Sequence, residues 1–341
     1  MKRIASVIEG EGIRTVAIVG CSKNTGKTTT LNQVMGGLAG ALDPIGILSI
    51  GIDGEDTDFW LGVPKPGIHV APGTLAATTE DALKASTARF QVLQSTGVMT
   101  PLGELVLART EAPGNLMLAG IRHKADLRLV VDGLVRQGAC RVLVDGSYQR
   151  LAAADPDVSQ GVILSTGAVV GDTMAEVVER TREILERLRV PETGDESARA
   201  LFREAVDLGV PLIRFEDGRI MPLEGDERED DPREVETGHG AVTAAIPGAV
   251  TDRWIVALLD RFRGPIHLLA TDPTRLFASG PVLRRFAVAG GELTVIRKVR
   301  LLALTVNPTR VTGPSLPRDE LLAAVASLAR STPVFMFDEV P

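Results

Sequence analysis

Apolar runs of strand length alternate with helix-periodic stretches through the first half of the chain. TVAIVG (15–20) and IGILSIG (45–51) are short apolar runs, the pattern of strands buried on both faces. Between them Leu31, Val34, Met35 and Leu38 recur at i, i+3, i+4 and i+7, which places them on one face of a helix. A helix is also expected over about 124–137, ahead of a third strand in CRVLVDG (140–146), and a fourth strand follows in GVILSTG (161–167). The next helix has the clearest signature. Thr173 and Glu176 form a capping-box pair, and Met174, Val177, Val178, Thr181, Leu185 and Leu188 trace one face. From 86 to 120 the pattern is less regular, with two short β-like runs, ELVLART and NLMLAG, around the turn-prone EAPGN. Strand, helix, strand, helix in this order predicts a parallel sheet with right-handed crossovers.

The pattern changes after Pro191. A helix at about 195–208 and a hairpin-like LIRFEDGRIMPL precede EGDEREDDPREVETGHG (224–240), which is acidic, nearly without apolar residues, and reads as a solvated loop. From 241 the α/β rhythm resumes with a helix near 250–262, IHLLA, a helix near 281–288, ELTVIRKV, LLALTVN, a helix near 318–329 and PVFMF. The expectation is an α/β protein: a parallel, doubly wound sheet of the phosphate-loop nucleoside triphosphatase kind over 1–190, and an additional C-terminal α/β lobe over 191–341. The last strands either complete the first sheet or build their own.

A length of 341 residues fits two domains or one large α/β unit with an insertion. Hydrophobic residues at 44% and charged residues at 24% are typical of a soluble globular protein, and the scarce aromatics, 4%, leave Ala, Val and Leu to fill the interior. A net charge of -7 argues against an extended nucleic-acid surface and points to proteins and small phosphorylated ligands as partners. Cys21 and Cys140 are too few for a disulfide framework, so a reducing, cytoplasmic setting is expected. The start, MKRIASVIEGEG, lacks the apolar core of a signal peptide, and no uncharged run approaches the roughly 20 residues that span a bilayer. No membrane association is expected.

Candidate chemistry concentrates in GCSKNTGKTTTLNQ (20–33). Cys21 to Thr28 has the length of a phosphate-binding loop, with Cys21 where Gly or Ala is usual. Gly26 lets the backbone pass close to phosphates, Lys27 can reach the β and γ oxygens, and the Thr28 hydroxyl can ligate magnesium. The loop follows a strand and opens a helix, whose N-terminal amides and dipole favour an anion. The expected nucleotide contacts are Gly20, Cys21, Ser22, Lys23, Asn24, Thr25, Gly26, Lys27, Thr28 and Thr29, with ATP and Mg2+ as cofactors.

Such a site also needs a carboxylate at the end of a neighbouring core strand to hold the magnesium hydration shell. Asp145 in RVLVDG fits this Walker B pattern. Asp53 opens a second group, followed by Glu55, Asp56 and Asp58, just after the second strand. Strand carboxyl ends converge on the ligand crevice of an open parallel sheet, so Asp53 is expected to project towards the phosphates and orient water or a second magnesium shell. The other three read more simply as an acidic surface turn. Lys27, Asp53 and Asp145 are therefore the catalytic candidates, and Thr28, Asp53 and Asp145 the metal-binding ones. Asn307 closes LLALTVN and offers a donor and an acceptor in one amide for a base, or else opens an Asn-Pro turn. The four histidines are scattered and show no metal-ligand spacing.

Glycine, five residues, then Gly-Lys-Thr resembles the loop of dethiobiotin synthetases and their relatives. Dimeric relatives carry an additional loop lysine that reaches a neighbour's nucleotide. Lys23 resembles it, although its offset of four from Lys27 differs from the five usual there. A homo-oligomer with Lys23 acting in trans and a solvated or phosphate-steering Lys23 are the two readings. More widely, GCSKNTGKTTTLN, SIGIDGEDTD, PKPGIHVAPGTLAATTED, TPLGELVLAR, LVDGSYQRLAAADPDVSQGVILSTGA and TVNPTRVTGPSL are similar in order and spacing to the phosphate-loop subunit of the lysine 5,6-aminomutase reactivating factor. The resemblance covers most of 14–175 and about 300–338, with 191–298 matched loosely. It departs at Cys21 and Ser147, where a small or hydroxyl residue and an alanine are expected.

The resemblance implies an ATP-driven chaperone. Hydrolysis would open an adenosylcobalamin-dependent aminomutase so that damaged cobalamin leaves and intact cofactor enters, with a second reactivase subunit and the aminomutase as partners. Carried over, Gly20 to Thr29 and Asp145 would bind and hydrolyse the nucleotide. Two other readings are a dethiobiotin-synthetase-like ligase acting on a small carboxylate or carbamate, held by Lys65, Thr74, Thr78 and Thr79, and a slow switch whose GIDGEDTD loop is ordered by the γ-phosphate.

Overall fold

The apolar runs become parallel strands because burial on both faces leaves their backbone groups only each other to bond. The computed structural model describes residues 4–38, 44–50, 67–146, 151–223, 240–310 and 312–337. They belong to two units, Met1–Ile184 with Arg300–Pro341, and Leu185–Val299.

The first unit begins with α1 (Ile4–Gly10), β1 (Thr15–Gly20), α2 (Lys27–Leu38) and β2 (Ile45–Ile50). The irregular region contains β3 (Ile68–Val70), β4 (Leu75–Thr79), α3 (Glu80–Ala85), a long hairpin of β5 (Arg89–Thr100) and β6 (Gly103–Ala112), and β7 (Gly114–Leu116). Then come α4 (Lys124–Arg136), β8 (Arg141–Gly146), β9 (Gly161–Gly167) and α5 (Met174–Leu188). The second unit holds α6 (Glu196–Leu208), β10 (Leu212–Phe215), β11 (Ile220–Pro222), β12 (Val242–Ile246), α7 (Asp252–Arg261), β13 (Ile266–Ala270), α8 (Gly280–Val288) and β14 (Gly291–Val295). The chain returns to the first unit with β15 (Leu301–Asn307), α9 (Arg318–Ala329) and β16 (Val334–Met336).

Nine strands of the first unit form one sheet in the order β16-β15-β9-β1-β8-β2-β4-β6-β5. Every pair from β16 to β4 is parallel, and β6 runs antiparallel to both β4 and β5. Side chains alternate across each strand. Val16, Ile18, Ile47, Leu143 and Ile163 pack with Ile4 and Ile8 of α1 and Leu31 and Val34 of α2. The opposite face takes α4 and α5: a Cβ at Gly46 would lie 3.3 Å from Leu134, and the Thr181 and Thr166 hydroxyls are 2.6 Å apart. Helices therefore cover both faces.

Chain order makes β1 the pivot of this sheet. The chain moves first to β2 on one side, returns to insert β8, then crosses β1 to reach β9. Crevices at the carboxyl ends of strands where the order reverses are the ligand positions of open parallel sheets. That edge carries the ends Ile50, Gly146, Gly20, Gly167 and Asn307.

The second unit has a separate sheet, β11-β10-β12-β13-β14, parallel across its last three strands. Its core gathers Ile255 and Leu258 of α7, Leu268 of β13 and Phe286 of α8. Of the two arrangements open for the last strands, β15 and β16 complete the first sheet. The lobe thus closes at Val299 instead of running to residue 341, and begins at Leu185 within α5.

Other elements depart from the sequence reading. The hairpin strand β5 was not expected, and its exposed residues and register shifts at Val92/Gln94 and Ser95/Met99 explain why no apolar period marks it. The helix α1 is short and buries Ile4, Ala5 and Ile8 in the core, with Val7 packed at its margin. The capping pair forms as read, with Glu176 N donating to the Thr173 hydroxyl at 3.2 Å; the Glu176 carboxylate takes Asp172 N at 2.8 Å. Among the described residues no helix is long and apolar enough to cross a membrane. Nearly all of the acidic stretch, 224–239, lies outside the described residues.

The two cores should respond to mutation separately. Phe286→Ala is expected to destabilise the second unit by about 3–5 kcal/mol, and Leu31→Ala the first by about 2–5 kcal/mol. Hydrogen exchange in mild urea, read peptide by peptide, checks that each loss of protection stays within its own unit.

Candidate functional site

The strand β1 is buried throughout and delivers the chain to the carboxyl edge at Gly20. Cys21 N still donates to Ser165 O of β9 at 2.8 Å, so the loop leaves the sheet only after one further ladder bond. The loop then doubles back. Asn24 takes a left-handed conformation with φ 57° and Gly26 one with φ 82°. Thr25 Oγ1 donates to Ser22 O at 3.1 Å, and Lys27 Nζ reaches across to the same carbonyl at 3.3 Å. Any Cβ at Gly20 would lie 2.5 Å from Thr25 Oγ1 and 2.9 Å from Ser22 O. Glycine is required there because the loop passes directly over its own strand end. Cys21 and Thr25 are buried, Thr28 and Thr29 half-buried, and Lys23 is exposed.

The helix α2 starts at Lys27, and its first amides have no partner one turn back in the helix. Their dipoles converge on the space above Gly26 and Lys27, a geometry that favours an anion. A buried set of three hydroxyls holds this turn in place. Thr30 Oγ1 is 2.8 Å from Thr305 Oγ1 and 3.3 Å from Ser165 Oγ, and Thr305 donates to Ser165 at 2.8 Å. Thr305 and Ser165 stand opposite each other on β15 and β9, level with Gly20.

Asp145 lies on β8, opposite Ile18 of β1 and Ser49 of β2, and is 2% exposed. Alternation puts it on the same sheet face as Leu143, the face that packs against α2. Its carboxylate is therefore on the side where the loop opens the helix. The Ser49 hydroxyl donates to the Asp145 carbonyl at 3.3 Å. Ser49, Asp145, Ser165 and Thr305 form a staggered row of buried polar residues on one face, Asp145 and Ser49 level with Ile18 and Ser165 and Thr305 two positions further on, level with Gly20.

Sequence reasoning picked Asp145 from this row and missed the three hydroxyls. The signal is visible in IGILS, RVLVD, GVILS and LLALT, where each mostly apolar run ends in one polar residue at the same place near the strand end.

Asn307, the last residue of β15, is buried beside the loop. Its Oδ1 accepts Thr309 N at 2.9 Å, and a Cβ at Gly26 would come within 3.3 Å of its Cβ. The structure thus brings together Gly20 to Thr29, Asp145 and Asn307. Asp53, Glu55, Asp56, Asp58 and Lys65 lie outside the described residues. Thr78 and Thr79 are committed elsewhere: the Thr78 hydroxyl donates to Met117 O at 3.0 Å and accepts Ala119 N at 2.8 Å, while Thr79 caps α3 through Ala82 N at 3.3 Å.

Comparison with family models, curated proteins and solved structures gives no match to this chain.

Thr30→Val keeps the shape of the side chain and removes its hydroxyl from the buried set. A loss of about 1–2 kcal/mol in urea unfolding is expected, with faster amide exchange confined to the first turn of α2.

Proposed function

We propose that this chain binds ATP with magnesium at the loop Gly20–Thr29 and hydrolyses it. One observation carries the reading. A loop ending in Gly26-Lys27-Thr28 joins a buried parallel strand to a helix at the carboxyl edge of the sheet, and a buried Asp145 lies on the neighbouring strand on that helix's side.

The residues present fit the nucleotide. Gly20 and Gly26 let the loop close tightly, over its own strand end and against Asn307, where a Cβ would meet Thr25 Oγ1 at 2.5 Å and Asn307 Cβ at 3.3 Å. Lys27 can exchange the Ser22 carbonyl for β- and γ-phosphate oxygens, and the first-turn amides of α2 add donors in a fixed direction. Thr28 and Asp145 would hold magnesium, which when bound neutralises charge on the β- and γ-oxygens. Asp53, by the sequence reading, would orient the attacking water. These groups act by positioning and electrostatics, and the hydroxyl set under Thr30 limits reorganisation when the ligand arrives.

The use of that hydrolysis follows the motif resemblance: reactivation of an adenosylcobalamin-dependent aminomutase, in which ATP turnover drives exchange of damaged cobalamin together with a second reactivase subunit. A motor of this kind acts by binding its target differently in its nucleotide states. The engagement of Thr78 and Thr79 within the fold counts against the ligase reading.

Lys27→Ala is expected to remove ATP binding measured by titration calorimetry. Asp145→Asn should retain binding and lower phosphate release roughly 100-fold or more. Basal hydrolysis should rise when an aminomutase carrying inactive cobalamin is added. Unchanged turnover in Lys27→Ala would refute the site, and absence of any association with such an aminomutase in pull-down would refute the role.

A further inference from the structure

The connection from β8 to β9 covers its part of the sheet thinly. Among the described residues it holds one short 3-10 turn, Leu151–Ala154, and no longer helix. Two small buried side chains, Ala153 and Ala154, form the cover, and a Cβ at Gly146 would lie 3.0 Å from the Ala153 methyl. The helix α4 beside it is a full layer thick, so a groove is left along its flank. This groove encloses about 770 Å³ and is lined by Lys124, Arg128, Leu129, Asp132 and Arg136 of α4, with Val158 opposite.

The wall facing α4 is a preformed turn. Asp155 O accepts Val158 N at 2.8 Å and Ser159 N at 2.9 Å, and its Oδ1 accepts Asp157 N at 2.9 Å. Lys124 Nζ lies 2.6 Å from a carboxylate oxygen of Asp155 and 2.6 Å from one of Asp157, which joins the two walls at the first turn of α4. Beyond that point α4 presents Arg128, Asp132 and Arg136, about one turn apart and all exposed. Among the described residues none of these three forms an ion pair. Leu129 beside them is 47% exposed, an apolar side chain left in water midway along the groove.

Shape and charge order indicate the occupant. From Lys124 to Arg136 the groove is about 18 Å long, which suits a length of polypeptide better than a compact ligand. Its unpaired charges run plus, minus, plus, with the outer two about 12 Å apart along the helix. A helix carrying Glu, Lys and Glu at i, i+4 and i+8 repeats that spacing with opposite signs. A second copy of α4 offers no register, parallel or antiparallel, that opposes all three charges. Run antiparallel about Asp132, for example, it sets the two carboxylates together and Arg128 against Arg136.

We propose that the groove beside α4 is a docking site for an amphipathic helix of another protein, whose Glu-Lys-Glu stripe faces Arg128, Asp132 and Arg136 and whose apolar residues cover Leu129. Exposed ion pairs contribute little each. The charge order therefore sets register and choice of partner, while the covered apolar surface supplies attraction. The lining belongs wholly to the first unit, and the inference does not depend on the nucleotide reading.

The test is fluorescence anisotropy of the full chain with a labelled alanine-based helical peptide that carries Glu, Lys and Glu at i, i+4 and i+8 with leucines alongside. The reference peptide has Lys, Glu and Lys at the same positions. Wild type should bind the first about tenfold more tightly, and the difference should shrink as salt rises. The triple variant Arg128→Glu, Asp132→Lys, Arg136→Glu should invert the preference, a result that loss of structure alone does not produce. Leu129→Ala should weaken the first peptide about threefold at a melting temperature close to wild type. Equal wild-type affinity for the two peptides, binding of neither, an unchanged preference in the triple variant, or wild-type binding by Leu129→Ala would overturn the docking site.

Discussion

The close passage of the loop over the end of β1 governs the rest of the carboxyl edge. Because Thr25 Oγ1 and the Ser22 carbonyl occupy the space where a Cβ at Gly20 would stand, the loop can turn back within six residues and start a helix directly above the sheet. That turn brings Lys27 across to the Ser22 carbonyl and places Gly26 in contact range of Asn307. A loop displaced by a single methyl group could not keep all three relations, since the protein interior has little slack to absorb the shift.

The sheet beneath meets this demand with polar groups where an ordinary core would be apolar. Burying hydroxyls is costly unless they are bonded, and here Thr30, Ser165 and Thr305 bond one another. The arrangement needs strands from distant parts of the chain in one register: Thr305 opposite Ser165, and Ser165 opposite Gly20. Parallel pairing delivers it, because every carboxyl end then arrives on the same edge and equivalent positions align. Polar ends on strands that are otherwise apolar thus serve both to anchor α2 and to leave Asp145 on the face that the helix covers.

Much of this was legible from local pattern. Strand, loop and helix at 15–38 followed from burial period and glycine spacing, and Thr173 with Glu176 announced the start of α5. Asp145 stood out because a mostly apolar run closed by Asp fits the Walker B pattern. Ser165 and Thr305 did not, because Ser and Thr fit strands without comment, and only the repeated position across four runs distinguishes them. ELVLART marked β6, but its hairpin partner β5 escaped notice because it is an edge strand with both faces partly exposed and with shifts that break its period. The return of β15 to the first sheet could not be read at all: partner choice between remote strands is a matter of topology, and local propensity carries no information on it.

The return of β15 and β16 also has a consequence for the order of synthesis. A nascent chain can pair β1, β2, β8 and β9 once residue 167 has emerged, yet the second unit must follow in full before β15 is available. Until then Thr30 and Ser165 lack Thr305, Gly26 lacks Asn307, and the exposed side of β9 is an open sheet edge. The contact between Thr30 and Thr305 spans 275 positions, among the most expensive kinds of loop closure for a folding chain. The loop Gly20–Thr29 is thus encoded near the start of the chain but acquires its final support only near the end, so the intermediate on the ribosome carries the loop without its supports.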